Sequence, residues 1–205
     1  MIKKLTDKPN QTGFSLAELL ITLSIFGILS SIALVNLSSS WTKNRLLATT
    51  RDLENWISGQ RRYAITHNLS CQVLIDQNNK RLVSTISSSR GTEPCSAEAT
   101  QTSETVFDLN DNFGAGYQKL TLTTNLSSQP ETDSGICFSF RGFSEEFIGE
   151  CANNQIRNSN GVLVIKLAHS DTDEARCIRI ISPIGMIRDG KSKDSSMECR
   201  YDTAY

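Results

Sequence analysis

The order of periodicities along the chain predicts an α+β fold: one long amino-terminal helix packed on an antiparallel β-sheet with long polar loops. Three observations carry this. An apolar run extends over residues 14–37. Residues 41–67 then continue at helical spacing, with Leu46, Leu53, Ile57 and Ala64 on one stripe. Beyond Asn68 the apolar side chains recur at every second position, the period of a half-buried strand.

The apolar run is 24 residues long. A helix of that length rises ~36 Å, enough to cross a hydrocarbon core of ~30 Å with some tilt. Leu19, Leu20, Ile21, Leu23, Ile25, Phe26, Ile28 and Leu29 supply its surface. Thr22, Ser24, Ser30 and Ser31 fit because a helical hydroxyl can bond back to its own backbone. Ahead of the run lies a polar leader with Lys3, Lys4 and Lys8 against Asp7. Basic residues there predict a cytoplasmic amino terminus and an exported remainder. Glu18 stands inside the run, where an ionisable group costs a few kcal/mol and is usually kept for a purpose. A plain anchor or a removable secretory signal does not explain it.

Over 41–68, Trp56 and Tyr63 lie beside the apolar stripe, Arg51, Arg61 and Arg62 are expected to face solvent, and Asn68 is a plausible stop. Residues 72–76 and 80–86 read as strands joined by Gln77, Asn78 and Asn79. Residues 87–105 and 125–135 read as polar loops. Residues 117–124 read as a strand with Leu120 and Leu122 inward. The next inward sets are Ile136, Phe138 and Phe140, then Leu163, Ile165 and Leu167, then Ile178 and Ile180. The acidic link 171–174 joins the last two, and Pro183, Ile184 and Gly185 turn into a short strand at 186–188.

The 205 residues suit one exported domain behind an anchor. Residues 69–205 carry 13 basic and 18 acidic side chains, a net of −5, while 41–68 are net +3. Such a head is a poor general nucleic-acid binder. Six cysteines, Cys71, Cys95, Cys137, Cys151, Cys177 and Cys199, follow the anchor, and an even count on the exported side predicts three disulfides. Six cysteines allow 15 pairings. Cys137 and Cys151 flank a turn expected near Ser144, Cys199 lies in a tail that a bond to Cys177 would hold, and Cys71 and Cys95 remain. Each bridge would contribute ~2–4 kcal/mol. Zinc ranks below disulfides: no Cys-x-x-Cys occurs, and His67 and His169 are isolated surface or helix-end residues.

Gly13, Phe14, Ser15, Leu16 and Glu18 after a basic leader resemble the amino terminus of a type IV prepilin. The resemblance implies that a membrane peptidase cuts between Gly13 and Phe14 and that the new amino terminus is methylated. It divides the chain into a leader at 1–13, a transmembrane and filament-core helix at 14–40, and a pilin head at 41–205 whose helix is 41–68 and whose β-rich part is 69–205. It gives Glu18 an assembly role, pairing with the charged amino terminus of Phe14 in a neighbouring subunit. The chain departs from many pilins in having no Pro between Phe14 and Pro94, with Val35 at the usual place.

Three further stretches, SGQRRYAITHNLSCQVLI, ICFSFRGF and RCIRIISPIGMIRDG, resemble the GspH/FimT-type minor subunits. Some of that group bind DNA through Gly-Arg-x-Arg near the carboxyl end. Here Met186 replaces the first Arg and Arg188 alone keeps the pattern. From Gly185 onward, Arg188, Lys191, Lys193 and Arg200 are balanced by Asp189, Asp194, Glu198 and Asp202.

The resemblance implies a bacterial inner-membrane protein with its head exported, a structural subunit that starts or caps a type IV pilus or type II secretion pseudopilus. Its implied partners are the prepilin peptidase, other pilin subunits and the membrane. A DNA- or surface-binding pilin using Arg188, Lys191 and Lys193 is the alternative, and DNA is the disfavoured partner. No Gly-x-Ser-x-Gly elbow, phosphate loop or metal-spaced His pair is present, so neither enzyme nor cofactor is expected. The part from about Trp41 onward is expected to be a monomer.

Overall fold

The computed structural model of the chain describes residues 13, 15–86, 95, 106–126, 134–148, 161–193 and 198–200; the side chains of 31–38, 134, 145–148 and 193 lie outside that description. The chain divides into two units, residues 1–40 and 41–205.

One helix, α1 (Leu16–His67), of 52 residues, belongs to both units. In the first unit Ser15 and Glu18 form a capping box. The Ser15 N–H donates to Glu18 Oε2 at 3.1 Å, and the Ala17 N–H donates to Ser15 Oγ at 3.3 Å. Thr22 Oγ1 donates to the Leu19 carbonyl at 2.9 Å, and Ser24 Oγ to that of Leu20 at 2.8 Å, the back-bonding expected of hydroxyls in an apolar helix. Leu16, Leu19, Leu20, Ile21, Leu23, Ile25, Phe26, Ile28 and Leu29 are all more than half exposed. Among the described residues no helix is long and apolar enough to cross a membrane. The side chains of 31–38, which belong to the predicted anchor, lie outside the description.

In the second unit α1 buries Leu46, Leu53, Ile57 and Ala64, the stripe that the heptad-like spacing predicts. Trp56 and Tyr63 pack half-buried beside it. Thr49, Thr50 and Gln60 are buried too. Thr50 Oγ1 donates to the Leu46 carbonyl at 2.7 Å, and Ser84 Oγ donates to Gln60 Oε1 at 2.8 Å. The helix ends at Asn68, whose φ of 55° is left-handed. The Leu69 N–H closes on the Ala64 carbonyl at 3.0 Å.

The β-rich part is two sheets rather than the single sheet expected. The first contains β1 (Cys71–Asp76), β2 (Arg81–Ile86), β3 (Val106–Asp108), β5 (Ser134–Phe138) and β6 (Ser144–Ile148). Its order is β3-β2-β1-β5-β6. The second contains β4 (Leu120–Thr124), β7 (Val162–His169), β8 (Glu174–Ile181) and β9 (Met186–Lys193), in the order β4-β7-β8-β9. Every pairing is antiparallel. Val73, Ile75, Leu82, Ile136 and Phe138 from the first sheet share one core with Leu120, Leu122, Leu163, Ile165, Leu167, Ile178 and Ile180 from the second. Helix α1 adds Leu46, Leu53, Ile57 and Ala64 to that core, which places the fold in the α+β class.

Several local expectations are corrected. A short helix, α2 (Leu109–Phe113), follows β3, with Asp108 capping it by accepting from the Asn110 N–H at 2.7 Å. Residues Tyr117–Lys119 form a 3-10 turn entered through Gly116 at φ 93°, so the strand begins only at Leu120. Phe140 is 43% exposed instead of inward, because β5 ends at Phe138 and the chain turns over 139–143. Ser144 therefore opens strand β6, and the turn lies before it rather than at it. Strand β9 continues to Lys193, well past the expected three residues, because β8 offers a partner at every position as far as Glu174.

Cys71 is joined to Cys95 with Cα atoms 5.8 Å apart, and Cys177 to Cys199 at 5.9 Å. Cys137 is also disulfide-bonded. The residue opposite Cys137 across the β5–β6 ladder is Glu145. Cys151 itself lies outside the described residues, as do the loop residues 87–94, 96–105 and 127–133.

One glycine fixes the spacing of the first sheet. A Cβ at Gly135 would collide with the Val73 backbone carbonyl on the neighbouring β1. Gly135→Ala is expected to cost toward the upper end of ~1–3 kcal/mol by forcing these two strands apart. A thermal melt checks this, and an unchanged midpoint would contradict the close approach of β1 and β5.

Candidate functional site

Two places carry the sequence-predicted site residues: the amino-terminal motif and the β8–β9 edge of the head. At the motif, Gly13 is exposed, and an added Cβ there meets nothing within 4 Å. Phe14 lies outside the described residues. Glu18 holds its own helix start through Ser15, which the Ser-x-x-Glu spacing signals and which the pairing role assigned to it from the resemblance left out. A carboxylate in the first turn also suits the positive end of the helix dipole.

At the β8–β9 edge, Arg188 and Lys191 are exposed. Three positions apart on one strand, they project to opposite faces of the sheet. The side chain of Lys193 lies outside the description. Thus the three predicted phosphate contacts do not form a row. The strand edge is also covered: Lys191 pairs with Arg200 in an antiparallel bridge with N···O distances of 2.7 and 2.8 Å. The Cys177–Cys199 disulfide ties that tail segment to β8.

Arg188 instead joins a balanced cluster between α1 and β9. Arg51 Nε lies 3.8 Å from Asp189 Oδ2. Half-burial, reinforced by the charge of Asp189, raises the pKa of Glu54, while Arg51 and Arg188 oppose the rise. Two positive and two negative groups leave little net field for a polyanion. A raised carboxylate pKa means the folded chain binds this proton more tightly than the unfolded chain. That contribution is present below the ordinary carboxylate range and is lost as pH rises through the raised value. Glu54→Gln is therefore expected to melt slightly higher than the parent at pH 7, by a fraction of ~1 kcal/mol because solvent screens the site. The difference should disappear near pH 3, below the ordinary carboxylate range, where the Glu54 carboxyl is protonated in both the folded and the unfolded chain. A variant that melts lower at pH 7 would show that the two arginines dominate.

The two histidines do different things. His67 sits exposed at the end of α1, stacked on Tyr63 with ring centroids 4.0 Å apart. His169 is buried, contrary to the surface placement expected from sequence. Its Nδ1 accepts the Asp171 N–H at 3.2 Å, which leaves Nε2 to donate to the Gly116 carbonyl at 3.2 Å. Phe113 stacks on its ring at 5.3 Å. This ring knits the 113–116 turn to the end of β7 and is not presented to a substrate. Among the described residues no group of three or more His, Cys, Asp or Glu could hold a metal ion.

Arg61 is the residue that sequence reasoning misplaced. It does not simply face solvent. Its Nε donates to the Gly142 carbonyl at 2.9 Å and its Nη2 to the Ile184 carbonyl at 3.1 Å. Helix α1 is thereby tied to the β5–β6 turn and the β8–β9 turn. Those two turns are bonded to each other as well, through the Ser144 N–H to the Pro183 carbonyl at 3.0 Å and Ser182 Oγ to the Ser144 carbonyl at 2.6 Å. Gly142 and Gly185 have positive φ, 80° and 71°. A Cβ at Gly185 would come within 2.6 Å of the Gly142 carbonyl oxygen.

Residues 8–34 match the family described as the prokaryotic N-terminal methylation motif. No curated protein matches the chain. Two solved structures of the minor pseudopilin EpsH from the type II secretion system of Vibrio cholerae are similar to it. One is 13% identical with a TM-score of 0.41, covering 78% of this chain and 98% of that one. The other is 11% identical with a TM-score of 0.46, covering 72% of this chain and 94% of that one. The motif spans Gly13, Phe14 and Glu18 and leads directly into the apolar part of α1. The chain thus carries a prokaryotic N-terminal methylation motif at residues 8–34, ahead of a head of the α+β class.

Proposed function

We propose that this chain is a minor pilin or pseudopilin of the GspH/FimT type, a non-enzymatic structural subunit that initiates or caps a type IV pilus or a type II secretion pseudopilus. The observation that carries it is the methylation motif at residues 8–34 running into a helix whose apolar side chains between Leu16 and Leu29 are all more than half exposed. Such a helix is stable only in lipid or packed against like helices. In this reading the prepilin peptidase removes 1–13, residues 14–40 anchor the chain once through the inner membrane with its amino terminus cytoplasmic, and 41–205 are exported. The helix then leaves the bilayer for the core of a filament. Detection of the mature chain, beginning at Phe14, in a sheared filament or pseudopilus fraction tests this. Its absence there while the membrane pool is full would reject the structural role.

DNA binding is the second reading, and the charge arrangement weighs against it. Arg188 and Lys191 face opposite ways, and Arg188 shares its surroundings with Glu54 and Asp189. The protein is expected to shift duplex DNA weakly or not at all at ~0.15 M salt, where screening confines surface attraction to ~8 Å. Tight binding in a gel-shift titration, abolished by Arg188→Ala or Lys191→Ala, would reverse the ranking.

A further inference from the structure

The end of the head marked by Arg61 carries an apolar patch that the described residues leave exposed. Ile65 on α1, Phe140 and Phe143 on the β5–β6 turn, and Ile184 and Met186 at the β8–β9 turn are between 37% and 64% exposed. They come from three segments far apart in sequence that the Arg61 hydrogen bonds bring together. The contact is close: a Cβ on Gly142 would lie 2.9 Å from Ile65 Cδ1. Gly142 and Gly185 are buried beneath the patch, so the turns cannot slide over one another. The patch is therefore a rigid, preformed surface, the kind that loses little freedom on binding.

Among the residues whose side chains are described, its charge is one-sided. Residues 61–67, 139–144 and 182–187 contain Arg61, Arg62 and Arg141 and no Asp or Glu. Arg62 and Arg141 are exposed, and Arg141 lies over the Phe140 ring with its guanidinium carbon 5.3 Å from the centroid. Apolar anchors within an arginine rim fit a protein surface whose apolar centre is ringed by carboxylates.

Three occupants compete on charge alone. A membrane is the poorer fit, because the head begins at Trp41 and Ile65 lies 24 residues further along α1. That separation is about 36 Å of helix. A second copy of this chain is also poorer. Near the start of the head helix two of its carboxylates are paired, Asp171 with Lys119 at 2.9 Å and Glu174 with Lys43 at 3.7 Å. We infer that the Ile65–Phe143–Ile184 patch is the docking surface for the head of a different subunit of the same filament, which presents an apolar contact surrounded by Asp and Glu. This rests on the structural-subunit reading above.

The test uses the full chain in cells that assemble the filament, with the photo-cross-linking residue p-benzoylphenylalanine in place of Ile184. The expected product joins this chain to another exported subunit, at a segment that peptide mapping shows to be apolar with flanking carboxylates. Arg62→Glu with Arg141→Glu should lower the yield at least about threefold, the scale of two exposed charge pairs. Exchanging the mapped carboxylates for Lys should restore it. Adducts only with lipid, with nucleic acid or with a second copy would overturn the inference. So would a chain that enters the filament fraction and gives no adduct. If the parent chain never reaches that fraction, the structural-subunit reading fails first and the docking surface with it.

Discussion

Exchanging Gly13 for a bulky residue such as Leu is expected to leave the leader attached in essentially all of the protein. The proposed cut would need a small residue before it, because the chain would have to lie close to the groups of a membrane peptidase. Glycine meets that need with no side chain at all. The structure removes the usual competing explanation for such a loss. Gly13 is exposed, and a side chain there meets nothing within 4 Å, so the substitution does not disturb this chain's own fold. Mass spectrometry of the membrane-bound protein distinguishes the outcomes. The parent should begin at Phe14 with a methylated amine, and the variant at the original start. The two disulfides Cys71–Cys95 and Cys177–Cys199 should form in both, since the head lies beyond the affected segment. A mature chain beginning anywhere else, or normal cleavage of the variant, would refute the assignment of the cut.

The parts of the molecule legible in the sequence are those fixed by short-range pattern. Leu46, Leu53, Ile57 and Ala64 follow the helix period and are buried, and Leu163, Ile165 and Leu167 follow the strand period and are buried. Asn68 stops the helix as its tolerance of positive φ suggests. What the sequence hid depends on distant partners. Strand β3 is three residues long and exists because β2 offers it a ladder from Arg81 to Val83. The division into two sheets follows from β1 pairing with β5 across sixty residues of chain, which no local pattern encodes. Arg61 looked like a solvated charge because its acceptors, the carbonyls of Gly142 and Ile184, are 81 and 123 residues away. His169 looked exposed because its cover comes from Phe113 of a short helix and Gly116 in the turn after it, which composition did not reveal. At the amino terminus the motif was legible, but the hydrogen bond from Ser15 to Glu18 adds a local duty to a residue read only through its partners.

That double duty decides how Glu18 must be tested. Glu18→Val is expected to leave membrane insertion intact or improved, since the segment loses its one charge. Entry of the chain into the filament should fall sharply. Two losses compete to explain such a result. The helix start loses the acceptor for the Ser15 N–H, worth about 0.5–2 kcal/mol for a capping contact. The assembly loses a carboxylate that could neutralise the amino terminus of a neighbouring Phe14 where water is excluded. Glu18→Gln separates them. Its amide oxygen can still accept from Ser15, so the cap survives while the charge is gone. If charge pairing governs assembly, Glu18→Gln fails as fully as Glu18→Val, because a buried ammonium is left uncompensated. If the cap governs, Glu18→Gln assembles like the parent. The quantity to measure is the ratio of this chain in the sheared filament fraction to that in the membrane, with cleavage before Phe14 verified for each variant so that processing does not confound the result. The expected order is parent well above both variants, with the two variants alike. Recovery in Glu18→Gln would move Glu18 from intersubunit pairing to the shaping of its own helix, where the structure already places one of its oxygens 3.1 Å from the Ser15 nitrogen.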